Sequence, residues 1–526
     1  MASRWVLLFV AILVATACGD PEHEFDAPQT LPDRQTMVHL FEWKWTDIAR
    51  ECENFLQYYG YGAVQISPPN EHVIIYKDND LPWWVRYQPV SYKLESRSGT
   101  REEFIDMVNR CNKVGVRIIV DAVLNHMTGA NMKFGENGVS SWNGSYFDST
   151  PGREQFPAVP YGAGDTNDWR CNGDIQGSDY QQSAIDVRNC RLVSLIDLNQ
   201  GSEYVRWKMS EYLNGLIDIG VAGFRFDAAK HMWPGDLRPL LNKVKNLRSD
   251  IFGENQRPFV VHEVIDRGGE AVKVAQYVNI GRYTDFNYGM IVGQCARRER
   301  DFGDMVWWGP GYGYGNMAGH DILAFIDNHD NQRDANPYVP IYKYGDNYAM
   351  TVGFMLAYTY GYPRVMSSYY FDNNIQGPPN YGRESGYATR SPAFAPAPDS
   401  SCLGSSGFVC EHRWRAIRGM VRFRQACTGA EITNKSSDKN RIAFERHGKG
   451  YFALNNNLSV WSMDVKVGLP EGTYCEVWSG EPFEGKCSGK EIHVDKDGKL
   501  VMFSGNAHFD VPVGQFQAIH VGGKLN

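Results

Sequence analysis

The stretch GFRFDAAKHMWPGD, Gly223–Asp236, decides how the chain is read. Phe224 and Phe226 frame Arg225, and Asp227, Lys230 and His231 follow at once. A short apolar run that stops at a carboxylate marks a buried strand delivering polar side chains at one end. Arg225 and Asp227 are two residues apart, so on a strand both point to the same side. The pattern recurs. VRIIVDAV (116–123) precedes Asn125 and His126, PFVVHE (258–263) ends at Glu263, and ILAFID (322–327) leads into Asn328, His329 and Asp330.

Working outward, TMVHLF (36–41), GAVQIS (62–67), YTDFN (283–287) and RVMSS (364–368) complete a set of eight candidate strands. Amphipathic stretches such as REEFIDMVNRCNKV (101–114) and EYVRWKMSEYLNGLIDIG (203–220) lie between them. This alternation predicts parallel βα units, and eight units predict an α/β fold of the (β/α)8 TIM-barrel type; an open doubly wound sheet is the alternative. About 70 residues rich in Gly, Ser, Asn and Asp separate the third strand from the next helix, too long for a bare loop. An inserted subdomain over 125–198 is therefore expected, with the barrel divided into 26–124 and 199–428. The last hundred residues, as in RIAFERHGKGYFALNNNL (441–458), alternate apolar and polar residues between turns. They predict a C-terminal antiparallel β-sandwich domain over 429–526.

Composition narrows the function classes. Hydrophobic residues make up 43 %, enough for a large core, and the net charge of −8 argues against a nucleic-acid partner. The aromatic content of 13 % suits sugar faces and ordinary cores alike. MASRWVLLFVAILVATACGD (1–20) reads as a secretory signal peptide over 1–18; its apolar run is too short to span a membrane. A lipidated Cys18 is the rival reading. The mature protein is thus expected to be exported, soluble and free of a membrane anchor. In that compartment its remaining cysteines are disulfide candidates whose pairing the spacing leaves open. Asn143, Asn434 and Asn457 sit in glycosylation sequons.

In a βα barrel the strand ends share one rim, where such folds carry their chemistry. One Asp after a strand is usually a helix cap. Asp227, Glu263 and Asp330 on three separate strand ends are harder to read as caps alone. Close carboxylates split their proton affinities, so one can stay ionised while another stays protonated. Retaining glycoside hydrolysis needs that division of labour.

DAVLNH, GFRFDAAKH, HEVID and FIDNHD resemble the four signature segments of the α-amylase family of glycoside hydrolases. FEWKW, WWVRYQPVSYKL, VGFMLA and RVMSSY are similar to the animal-type members, and the likeness runs from about Met37 to the C-terminus. The resemblance implies an exported, monomeric endo-hydrolase of α-1,4 bonds in starch, glycogen and maltooligosaccharides. A related α-glucosidase or transglycosylase, or a non-catalytic sugar-binding relative, are the alternatives. It implies Asp227 as nucleophile, Glu263 as acid/base and Asp330 as the third carboxylate. Trp83, Trp84, Tyr87, His126, Arg225, Lys230, His231 and His329 form the implied substrate-binding set. Taken without the resemblance, the Trp83–Trp84 pair could equally be core.

The resemblance also implies a calcium ion held by Asn125, Arg188, Asp197 and His231, the Arg and His through backbone carbonyls. Arg225 and Asn328 match two ligands of an activating chloride. The third position, eight before Phe354, falls on Asp346, where an aspartate would repel an anion. Chloride-independent activity is therefore expected, although Lys343 lies nearby. DANPYVPIYKYGD (334–346) stands in place of a glycine-rich mobile loop. The implied disulfides are Cys52–Cys111, Cys171–Cys190, Cys402–Cys410 and Cys475–Cys487. Glu95 replaces a cysteine of a further vertebrate bridge, and Cys295 and Cys427 are left over.

Overall fold

A computed structural model describes residues 23–310, 317–334, 336–502 and 508–525. The expected signal peptide, 1–18, lies outside the described residues. Eight parallel strands close into a barrel in sequential order. They are β1 (Met37–Leu40), β2 (Ala63–Ile66), β3 (Arg117–Ala122), β4 (Gly223–Phe226), β5 (Phe259–His262), β6 (Arg282–Thr284), β7 (Ile322–Ala324) and β8 (Tyr362–Ser367). Each pairs in parallel with its neighbours, and β8 closes on β1 through Met37↔Arg364 to Leu40↔Ser367. The open-sheet alternative falls away.

All eight fall within or beside the stretches read from sequence. The least regular is β6. It stops at Thr284 because the Asp285 side chain accepts hydrogen bonds from Asn287 N and Tyr288 N and starts the helix Phe286–Ala296. Residues 101–113 form a helix with a capping box between Thr100 and Glu103, and residues 203–219 form another. Gly223 is required by the closeness of β4 and β5: a Cβ there would lie 2.2 Å from Phe259 O.

Between β3 and the helix 203–219 the chain makes short strands at His126–Gly129 and Leu195–Asp197, paired antiparallel, and two short helices at 179–182 and 184–189. This segment caps the C-terminal rim beside β3 and β4. Residues 336–346 pack down on the helix Phe286–Ala296; a Cβ on Gly293 would meet Tyr338 O at 1.8 Å. After the helix Arg415–Ala426 come antiparallel sheets, the largest built from Ile432–Asp438, Arg441–Arg446, Gly450–Asn455 and Gln515–His520. The four implied disulfides are all formed. Cys295 and Cys427 are unbridged and buried. No helix among the described residues is long and apolar enough to cross a membrane.

Candidate active site

The C-terminal ends of β3, β4, β5 and β7 meet beneath a cleft of about 540 Å³. Asp227, Glu263, Asp330, Trp83, Trp84, Tyr87, His126, Lys230, His231 and His329 all line it. Widely separated stretches of sequence therefore share one wall. Tyr180, Glu270, Gln88 and Ile265 also line it, although no sequence pattern singles them out.

The floor is organised by one guanidinium. Arg225 is 1 % exposed, and Asp121 lies opposite it in register on β3. Arg225 Nη1 donates to Asp121 Oδ1 at 2.6 Å and to Asp227 Oδ1 at 2.8 Å. Its Nη2 pairs with Glu263 Oε1. Ala228 N donates to Glu263 Oε2 at 2.7 Å, and Tyr87 OH donates to Asp121 Oδ2 at 2.9 Å. Burial works against charge on Arg225, but Asp121, Glu263 and Asp227 hold it firmly protonated. Arg225 carries two expectations, a substrate contact and a charge that keeps the nucleophile ionised, and its contacts favour the second. Arg225 lies under the cleft with both Nη atoms taken by carboxylates, so it holds the carboxylates instead.

Burial raises the Asp227 carboxyl well above its usual range; Arg225 opposes this, while Glu263, Asp121 and Asp330 add to it. Asp330 keeps 42 % of its side-chain surface open to the cleft. Burial of its surroundings, with Glu263 nearby, raises its carboxyl to about 7. Burial lowers His126 and His231 to about 4 and His329 well below its ordinary value, so all three rings are neutral at neutral pH. His126 Nε2 donates to Tyr87 O at 2.9 Å.

Trp83 and Tyr87 sit on one short 3-10 turn, Trp83–Tyr87, that follows Pro82. Tyr87 stacks on His329 with centroids 5.1 Å apart and planes at 10°. Trp83 meets both rings edge-on at 5.7 and 5.4 Å. Lys230 donates to Ile265 O at 2.7 Å, pairs with Glu270 and lies 4.9 Å from the Tyr180 ring centre. It is a braced cation on the wall.

Beside the cleft, Asn125 Oδ1 and Asp197 Oδ1 are buried without a hydrogen-bond partner. Burial raises the Asp197 carboxyl well above its usual range, and Asn167 Nδ2 donates to its other oxygen at 2.7 Å. Asp197 pairs in register with His126, and His231 Nδ1 donates to Val187 O at 2.8 Å, next to Arg188. The Arg188 side chain turns away to Tyr277 OH and Gln276. Two orphaned buried oxygens in an oxygen-rich pocket fit a hard cation such as calcium.

An anion fits less well. Asn328 Oδ1 accepts from Asn331 N at 2.8 Å. Of the Arg225 nitrogens only Nε is buried without a partner. Asp346 is exposed as the first residue of the helix Asp346–Ala357, where its charge suits the helix N-terminus. Lys343 turns outward to Phe371 O at 2.9 Å. Neither places a second cation beside Arg225.

Residues 78–288 match the family model for the α-amylase catalytic domain, and 432–522 match that for the α-amylase C-terminal all-beta domain. The chain is 45 % identical to pancreatic alpha-amylase 2a5 of Mus musculus over 98 % of this chain and 99 % of that one. It is 46 % identical to an alpha-amylase of Tribolium castaneum over 95 % and 96 %. Among solved structures it is similar to a mutant of alpha-amylase I from Eisenia fetida in complex with maltohexaose. There the TM-score is 0.85 at 38 % identity, covering 94 % of this chain and 99 % of that one.

Proposed function

The chain belongs to the α-amylase family, and from that premise we propose how its cleft cuts glucan. It is an enzyme that hydrolyses starch from within the polymer. We assign Asp227 as the nucleophile, Glu263 as acid/base and Asp330 as the group that holds sugar hydroxyls. The carrying observation is that Asp227 and Glu263 meet on one guanidinium at the barrel rim, under an aromatic wall. A single fork spans little more than one carboxylate. Sharing it supports the short spacing of double displacement over the wider one that leaves room for a water.

Asp121, Asp227 and Glu263 together carry more negative charge than Arg225 can offset. Burial and this crowding raise the Asp121 and Asp227 carboxyls, and the proposed division of labour places the proton that catalysis needs on Glu263. In the first step Asp227 attacks the anomeric carbon while Glu263 gives its proton to the departing oxygen. In the second, ionised Glu263 takes a proton from water, which displaces Asp227. Trp83, Trp84 and Tyr87 offer aromatic faces to glucose rings. His126, His231 and His329 act as neutral hydrogen-bonding groups, and Lys230 with His231 borders the side where the reducing end leaves.

Asn125 and Asp197, with the carbonyls of Arg188 and His231, would hold calcium. When bound, the ion ties the 125–198 segment to the turn after the nucleophile. Activity is read as independent of chloride because exposed Asp346 stands at the position where a basic third ligand would be needed, and Lys343 turns outward to Phe371 O. We divide the chain into barrel (26–124 and 199–428), calcium-binding insertion (125–198) and C-terminal domain (429–526). We read it as an exported monomer acting on starch, glycogen and maltooligosaccharides; four disulfides fit an oxidising compartment. Digestion of soluble starch tests the reading: mixed short maltooligosaccharides are expected from the first minutes. Release of glucose alone would overturn it.

A further inference from the structure

On the opposite face of the barrel, residues from His23 onward run beneath the strands. Phe25 O accepts from Val260 N at 2.9 Å, and Asp26 O accepts from Arg282 Nε at 2.8 Å, which ties this segment to β5 and β6. There His23, His320 and Asp321 each present a ligand atom, all within 4.8 Å of one another. His320 and Asp321 belong to the short turn Gly319–Asp321 that enters β7. The two imidazoles meet edge-on with centroids 4.4 Å apart. His320 Nε2 lies 3.5 Å from Asp321 Oδ1.

Behind them stands a second carboxylate. Asp26 Oδ2 lies 2.8 Å from His23 Nδ1. Asp26 is only 5 % exposed, and its Oδ1 is buried without a hydrogen-bond partner. A carboxylate on Nδ1 fixes the tautomer that presents Nε2 for ligation, the arrangement that orients histidines on metals. The bland reading is a pair of His–Asp contacts at the barrel base. The nearby Arg282 charge accounts for the two carboxylates, Asp26 and Asp321, but not for two imidazoles meeting there or for the orphaned Asp26 oxygen.

We propose that His23, His320 and Asp321 form a site for a divalent cation of the zinc class, oriented by Asp26 and completed by water. Two imidazoles and a carboxylate suit such an ion and not calcium, which takes oxygen ligands. Ligand atoms about 2.0–2.1 Å from a tetrahedral zinc are about 3.3 Å apart, so the partly exposed His23 ring has to swing inward, by up to about 1.5 Å, to close the site. The bound ion pins the N-terminal segment to the turn that feeds β7, remote from the cleft.

The test uses the full enzyme kept in millimolar calcium and titrated with zinc, then with cobalt for its ligand-field spectrum. One ion per chain is expected, with a tetrahedral cobalt band and a thermal midpoint raised by about 2 °C at 100-fold excess over Kd. His23→Ala and His320→Ala should each abolish this binding, and Asp26→Asn should weaken it about tenfold. His320 is 54 % exposed, so its substitution leaves the fold intact, checked by unchanged starch hydrolysis without zinc. His508→Ala, at another exposed His–Asp pair, should bind as wild type. Binding that survives both His23→Ala and His320→Ala, or no binding below about 100 μM zinc, overturns the proposal.

Discussion

Asp121 and Arg225 stand opposite each other in register on β3 and β4, and Arg225 Nη1 donates to Asp121 Oδ1 at 2.6 Å. The same nitrogen donates to Asp227 at 2.8 Å. Asp121 therefore competes with the nucleophile for one positive charge. It shapes the chemistry without lining the cleft, which makes it a positioning residue.

Asp121→Asn removes a charge that raises the Asp227 carboxyl. Asp227 then ionises at lower pH, and the acid limb of kcat/KM moves down. The shift is the informative readout, because a purely structural loss would lower kcat/KM at every pH alike. A limb that stays put or moves up contradicts the competition.

Chelation should lower both the thermal midpoint and the activity, with both restored by added calcium. Asp197→Ala and Asn125→Ala should weaken calcium binding while leaving the carboxylate cluster's own residues in place. The orphaned Oδ1 atoms of these two residues motivate the expectation. Unchanged melting after exhaustive dialysis against chelator would remove it.

Chloride should matter little. Replacing it with acetate is expected to leave the rate on starch within about twofold, since Asp346 and Lys343 both face away from Arg225. A large, saturable activation by chloride would show that the unpartnered Nε of Arg225 recruits an anion after all.

Burial raises Asp285, the cap of the helix Phe286–Ala296, from 3.8 to about 7. Its contribution to stability is fully present below pH 3.8, where folded and unfolded chains are both protonated. It is lost as pH rises toward about 7, at up to roughly 1.4 kcal/mol per pH unit, because only the unfolded chain ionises over that window. Asp285→Asn keeps the accepting oxygen and removes the ionisation. Its unfolding free energy, measured by denaturant at fixed calcium, should fall less steeply across that window.

Much of the fold is legible in the sequence because the strands are short apolar runs ending in polar residues, and eight such runs have few ways to pack. Asp227, Glu263 and Asp330 are legible for the same reason: each sits where a strand stops. Asp121 is hidden because it lies inside VRIIVDAV, and its partner is 104 residues away. Only the register of β3 on β4 reveals it. Tyr180 and Glu270 lie in irregular segments whose path no periodicity predicts. The limit of β6 escapes the pattern because Asp285, which reads as strand, spends its side chain on a helix start. That Arg225 lies on the side of Asp227 is legible from strand alternation, but the three carboxylates that share its fork are not.

Formation of a covalent glycosyl-enzyme on Asp227, with Glu263 as acid/base, stands at the centre of the proposed mechanism. It is tested most directly by trapping with a 2-fluoro maltosyl fluoride, then peptide mapping. The adduct should fall on Asp227 and be absent from Asp227→Asn. Glu263→Gln should still be labelled, since fluoride leaves without protonation, while its kcat on starch falls by about 10²–10⁴. An adduct on another residue, or no adduct with product released as the inverted anomer, would contradict the account.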